Sequence, residues 1–252
     1  MRTRLAFLLW MACAVCSAQE PAGAQPHAPL AAYPESESAA AWRALASAYV
    51  RKAVRERKVD RDPALNARVD AVMARVSAAL ASLYPRFAGT RWKAILIEDF
   101  GHGAVAFPGE TVLMDTTFVR VLDLSDDELA LILSHEAAHV AAGHAYEKLS
   151  FMAETLGRER APTARIALLE FLAHDRWAEA FRPVARLQER EADRIGAGIL
   201  LASGYDARRA LGLFDKLARR EARLDYEDTH DTAAVRRAAI DAALGEWIRP
   251  AE

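Results

Sequence analysis

Apolar positions recur along this chain with two different spacings, and the spacing assigns most of its elements. From Ala39 to about Lys58, Trp42, Leu45, Ala46, Tyr49 and Val50 fall on one helical face. A second helix is predicted from Pro63, with Leu65, Val69, Val72, Met73, Val76 and Leu80 as its stripe and Pro85 as its stop. The run Trp92 to Ile97, with Ile95, Leu96 and Ile97 in succession, predicts the best strand of the chain. After Gly101-His102-Gly103, two short strands are expected at Ala104–Phe107 and Thr111–Met114, turned by Pro108-Gly109. Ser125 and Glu128 then form a capping-box pair that starts a helix running to about Tyr146. Further helices are predicted near Thr163–Trp177, Pro183–Ser203, Ala207–Arg223 and Ala233–Ile248. The expected fold is mostly α (α+β), a single domain over residues 39–252 with a small β-sheet and no internal repeat.

The first residues change the picture of where the chain works. Arg2 and Arg4 precede an apolar run from Leu5 to Val15, and Cys16-Ser17-Ala18 offers small residues for cleavage. Residues 1–18 therefore read as a secretory signal peptide, cut after Ala18. A lipid anchor on Cys13 or Cys16 ranks second, because Met11-Ala12 and Ala14-Val15 suit lipidation poorly; an uncleaved anchor ranks third. Removing these 18 residues from the 252 leaves 234, with 31 basic against 35 acidic residues and a net charge of −4. Such mild acidity gives no reason to expect nucleic-acid binding. Both cysteines leave with the signal, so disulfides and thiol chemistry are excluded from the mature chain. Residues 19–38, with Pro21, Pro26, Pro29 and Pro34, read as a disordered leader.

The chemistry is concentrated in the helix that Ser125 starts, at His135-Glu136-Ala137-Ala138-His139. Two histidines four apart project from one helical face and can grip one metal ion. Glu136, one residue on, can serve as a base without being a ligand. An ionisable side chain in so apolar a helix (Leu129 to Val140) is costly unless it is paired or functional. This is the core of a zinc peptidase, and the fold expected around it is zincin-like, with the metal on an active-site helix.

A catalytic zinc takes three protein ligands plus water, so one ligand must come from elsewhere. In Gln188-Glu189-Arg190-Glu191-Ala192-Asp193, Glu189 and Asp193 lie about 40° apart around a helix, whereas Glu191 sits about 200° from Glu189 and points away. Glu189 can ligate zinc while Asp193 accepts the free N–H of a ligating histidine. The same spacing describes a solvated acidic face; the need for a third ligand favours the functional reading. His144, five residues after His139, is rotated off the ligand face on a continuous helix and reads as structural or as a supporting residue behind the ligands. His102 is a loop histidine that can line a cleft, His27 and His174 carry no context, and His230 is open between helix capping and active-site work.

Together these segments resemble the HtpX- and CAAX-prenyl-protease-like family of zinc metallopeptidases, particularly its small periplasmic BepA-like branch. The resemblance runs from about Ile97 to Ala239. Gly103-Ala104-Val105-Ala106-Phe107-Pro108-Gly109-Glu110 is similar to the family's N-A-F-x-x-P-G-G, and Glu128 to Val140 to its E-L-A-x-x-L-x-H-E-x-x-H-V. Glu189 and Asp193 match E-x-x-x-D, Ser203-Gly204-Tyr205-Asp206 resembles A-G-Y-D, and Thr229-His230 with Arg236 resembles T-H-P-x-x-x-x-R. Gly103, Glu110 and Asp231 stand where the family has Asn, Gly and Pro. No departure touches a proposed ligand or the base.

The resemblance implies a gluzincin endopeptidase with one zinc per chain, held by His135, His139 and Glu189, with Glu136 as base and Asp193 behind the ligands. It also implies that His230 and Arg236 lie near the substrate or the open metal position, where His230 can hold the enzyme latent. Expected substrates are unfolded or misassembled envelope proteins, bound as an added strand at the Ala104–Phe107 or Thr111–Met114 edge. The rival expectation is a non-catalytic or latent zinc-containing adaptor in envelope protein assembly. Glu136 argues against the former, since a purely structural site needs no base.

Overall fold

A computed structural model describes residues 26, 31–109, 111–221 and 231–248. The signal segment, most of the expected leader, Glu110 and Thr229-His230 lie outside these residues. Helices α1 (Glu35–Arg55) and α2 (Pro63–Leu83) come first, followed by strands β1 (Lys93–Ile97), β2 (Ala104–Phe107) and β3 (Thr111–Asp115). The helices that follow are α3 (Thr116–Val121), α4 (Asp126–Ala142), α5 (His144–Leu156), α6 (Ala164–Ala173) and α7 (Asp175–Ala202). The last are α8 (Ala207–Ala210), α9 (Gly212–Glu221) and α10 (Ala233–Ile248). The expected class, mostly helical with one small sheet in a single domain, is what the chain adopts.

The sheet order is β1-β3-β2, with β1 parallel and β2 antiparallel to β3. Successive residues of a strand face opposite sides, and both sides here are covered. Leu96, Val112 and Met114 join the core built by α2, α4, α7, α9 and α10. Ile97, Phe107 and Leu113 join a second core under α1, α5 and α6. The outer edge of β1 is paired by the segment before α2, through Asp60 N–H to Leu96 O at 3.0 Å and Glu98 N–H to Lys58 O at 2.8 Å. Strand β3 is interior, so Thr111–Met114 offers no edge to a peptide. That leaves β2 as the edge strand.

Helix α4 begins as its sequence predicts. The Ser125 side chain accepts from Glu128 N–H, and Glu128 Oε2 accepts from Ser125 N–H at 2.7 Å. Glu128 is buried, and Lys216 of α9 donates to the same oxygen at 2.6 Å. The helix ends earlier than expected, because Gly143 takes a left-handed φ of 74° and α5 starts afresh at His144.

Other boundaries also differ from expectation: α3 is an added helix, and the helix expected from Ala207 is broken at Leu211 into α8 and α9. Pro183, read as a helix start, lies inside α7, and the break falls instead at His174, whose φ of −143° and ψ of 113° are extended. Pro183 is tolerated because Glu179, whose carbonyl loses its N–H partner, is exposed and can bond to water. At the other end of the chain, α1 starts four residues early. Tyr33 is buried upstream of it, donating to Ala161 O at 2.5 Å.

Helices α4 and α7 pack closely at Gly196. A Cβ there would stand 3.1 Å from both Cα and N of His135. Glycine therefore lets the helix bearing Glu189 and Asp193 reach the backbone of the helix bearing the two histidines. Helix α10 docks on the other side of α7, where the Trp247 ring covers Gly198.

Candidate metal centre and active site

The close approach of α4 and α7 brings three donors together. His135 Nε2 and His139 Nε2 are 3.0 Å apart. Glu189 Oε2 is 3.2 Å from the first, and Glu189 Oε1 is 3.5 Å from the second. A tetrahedral ion with bonds of about 2.0–2.1 Å sets its donors about 3.4 Å apart. Two imidazoles and a carboxylate at these separations fit zinc in number, chemistry and spacing, and they leave a fourth position for water. Among the described residues this is the one group of three or more His, Cys, Asp or Glu side chains close enough to share an ion.

Asp193 supports the group from behind. Its Oδ1 lies 2.9 Å from His135 Nδ1 and accepts from Arg236 Nη2 at 2.7 Å, and its Oδ2 accepts from Arg236 Nε at 3.0 Å. The structure thus places Arg236 on the Nδ1 side of His135, against Asp193. Burial by itself would push the His135 pKa down, but the hydrogen bonds to Asp193 and Glu189 outweigh it and raise the pKa. Burial also opposes the Asp193 charge, yet its bond to His135 and the Arg236 guanidinium hold its carboxyl below the usual range. The pocket is set up to hold a positive charge.

Glu136 points from the same helix toward the sheet. Its Oε2 accepts from Ala106 N–H of β2 at 2.8 Å. Since that amide faces away from β3, the two-residue period puts the main-chain groups of Ala104 and Ala106 on the open edge, beside the candidate base.

His144 is buried with its Nδ1 2.8 Å from His139 Nδ1, and its Nε2 is 3.2 Å from Glu191 Oε2. Burial lowers the His144 pKa. Glu191 does point away from Glu189, and finds His144 there. His102 packs edge-on against Phe100 with ring centroids 5.3 Å apart, and His174 sits 3.8 Å from Glu170; neither joins the three donors. Asp231 pairs with Arg190 at 2.8 Å, tying the residue after His230 to α7.

Sequence reasoning missed two features. The amide of Ala106 carries no side-chain signature. Lys148 lies one turn beyond His144; burial lowers its pKa against the opposing Glu189 charge, and its ammonium is 5.0 Å from the Phe171 ring centroid and 5.7 Å from that of Trp42. Its only sequence signal was the i, i+4 spacing from His144.

With this geometry in place, comparison with known proteins is decisive. A model of peptidase family M48 matches residues 63–244. The chain belongs to peptidase family M48. The family expected from the motifs, a metal-dependent one, is borne out, and the relatives are consistent with its BepA-like branch. This M48 chain is similar to the mitochondrial metalloendopeptidase OMA1 of Schizosaccharomyces pombe, 27% identical over 169 residues, which cover 64% of this chain and 48% of that protein. It is also similar to a Vibrio cholerae protein named "Putative beta-barrel assembly-enhancing protease", 28% identical over 182 residues, which cover 68% and 36% respectively. The OMA1 metalloendopeptidase of Arabidopsis thaliana is 27% identical over 155 residues, 59% of this chain and 30% of the relative. The matched region spans less than half the length of each of these relatives.

Proposed function

We propose that this M48 chain is a zinc-dependent endopeptidase that cuts unfolded or misassembled proteins of the bacterial envelope. The observation that carries the reading is the Glu136 carboxylate, held by the Ala106 amide beside a three-donor site for one ion. His135, His139 and Glu189 are the proposed ligands. Zinc bound there supplies a Lewis acid that makes water nucleophilic near neutral pH and polarises the scissile carbonyl. Glu136 takes the proton from the attacking water and returns it to the leaving amine. Asp193 accepts from His135 Nδ1–H and so turns the Nε2 lone pair toward the ion, with Arg236 holding Asp193 in place.

The substrate is proposed to lie extended along β2, bonded through the open-edge N–H and C=O of Ala104 and the C=O of Ala106, whose N–H holds Glu136. Such pairing reads backbone and gives loose sequence preference. It requires a segment free to become a strand, which an unfolded protein has and a compact one lacks. His230 is assigned by the family pattern to the substrate side of the ion. The envelope location rests on the signal-like residues 1–18 and on the Vibrio cholerae relative's name. No described helix is long and apolar enough to cross a membrane.

The test is cleavage by the zinc-loaded chain of one protein offered in two states, native and reduced-and-alkylated. Only the unfolded form should be cut. Equal cleavage of both forms would sink the substrate reading, and N-terminal sequencing of the exported chain should begin at Gln19.

A further inference from the structure

We propose that His144 and Glu191 act as a two-residue relay that locks His139 in its metal-binding tautomer. This rests on the assignment of His139 as a ligand. The two ligating histidines are supported differently. His135 Nδ1 meets a carboxylate directly, at Asp193, whereas His139 Nδ1 meets the Nδ1 of another imidazole at 2.8 Å.

Two facing ring nitrogens can share only one proton. If His139 Nε2 is to present a lone pair to the ion, its Nδ1 must carry the hydrogen and His144 Nδ1 must accept it. The hydrogen of neutral His144 then sits on Nε2, which must find an acceptor. Glu191 Oε2 stands 3.2 Å away, and an ionised carboxylate can only accept. Glu191 therefore fixes His144, and His144 fixes His139. Without Glu191, His144 is free to carry its hydrogen on Nδ1, donor against donor, and His139 loses its hold.

The local backbone serves this arrangement. Gly143 breaks the helix between the two histidines with its φ of 74°, which re-aims His144 toward His139 across the break. Gln188 steadies α5 beside it, donating to Glu147 Oε2 at 2.7 Å and to His144 O at 3.5 Å. One stretch of α7 thus supplies a ligand at Glu189, the support of His139 through Glu191, and the support of His135 through Asp193. His144 and Glu191 are positioning residues: neither is within reach of the substrate edge by any contact described above.

The test uses the full chain and its His144→Leu, His144→Asn, Glu191→Ala and Glu191→Gln variants. Zinc dissociation constants come from competition with a chromophoric chelator. The visible spectrum of the cobalt-substituted proteins reports ligand geometry, and circular dichroism reports folding. Asn places an amide oxygen where His144 Nδ1 accepts, and Gln keeps an acceptor for His144 Nε2–H. Both conservative variants should stay within about threefold of the parent, while His144→Leu and Glu191→Ala should weaken zinc about 10–100-fold and shift the cobalt bands. A folded His144→Leu protein that binds zinc like the parent overturns the relay. If that variant does not fold, a His144→Asn or Glu191→Gln protein as weak as Glu191→Ala, or a Glu191→Ala protein as tight as the parent, overturns it instead. A parent chain that binds no zinc overturns the metal assignment and the relay with it, so the two failures are distinguishable.

Discussion

Replacing Asp193 with Asn separates what the carboxylate does for the fold from what it does for the ion. Asp193 is 5% exposed at its side chain and Arg236 13%. The carboxylate accepts two bonds from the guanidinium and one from His135. In Asp193→Asn, one acceptor remains for His135, but an NH2 group faces an Arg236 donor and the guanidinium loses its counter-charge. Breaking a buried ion pair from one side costs about 3–5 kcal/mol. At about 2–4 °C per kcal/mol for a chain of this size, Tm should fall by roughly 10 °C. Zinc affinity should fall about 10–100-fold, since the tautomer of His135 is no longer held by a charge. Adding Arg236→Met removes the stranded cation and should restore at least about 1 kcal/mol of stability, yet leave zinc binding weak. Scanning calorimetry of the metal-free proteins and chelator competition measure the two effects separately. An Asp193→Asn protein that melts within about 2 °C of the parent and binds zinc as tightly would refute the reasoning.

Other expectations follow from the same geometry. Gly196→Ala puts a Cβ against the His135 backbone and should cost about 1–3 kcal/mol in thermal melts while weakening zinc, because α7 must back away from α4. Ser125→Ala removes a cap far from the ion, so it should cost about 0.5–2 kcal/mol in the same melts and leave zinc affinity unchanged. The metal-free protein should lose stability between pH 6.5 and about 10. His135 has a raised folded pKa, so the native state binds more protons than the unfolded one in that window. Asp193, with its pKa lowered to about 2, contributes stability above its unfolded value of 3.8 and loses it as the pH falls toward 2. Denaturant midpoints of chelator-treated protein across the pH range check both signs.

Much of the site was legible because its information is local. His135, Glu136 and His139 share their geometry through one helical turn, and so do Glu189 and Asp193. The capping box at Ser125 and Glu128 likewise needs only residues three apart. What escaped depended on a break or on a distant partner. The sequence pattern runs one helix through Gly143, which would turn His144 away, but the left-handed residue there turns its ring back to His139. Pro183 looked like a helix start because its cost inside a helix depends on whether the orphaned carbonyl is wet, which only tertiary placement decides. The β2 and β3 strands were both legible, but which of them is the edge was set by the pairing of β1 with β3. The Ala106 amide and the seat of Arg236 against Asp193 could be seen only once the α4–α7 packing brought their elements together.

The most direct measurement is cleavage of an unfolded protein such as casein by metal-free chain titrated with zinc, beside a Glu136→Gln variant shown to take up the same metal. Activity should rise linearly and level off at one zinc per chain, and the variant should bind that zinc yet cut about 10²–10⁴-fold more slowly. Cleavage that ignores zinc, or a zinc-loaded Glu136→Gln protein as active as its parent, would contradict a one-zinc peptidase with Glu136 as its base.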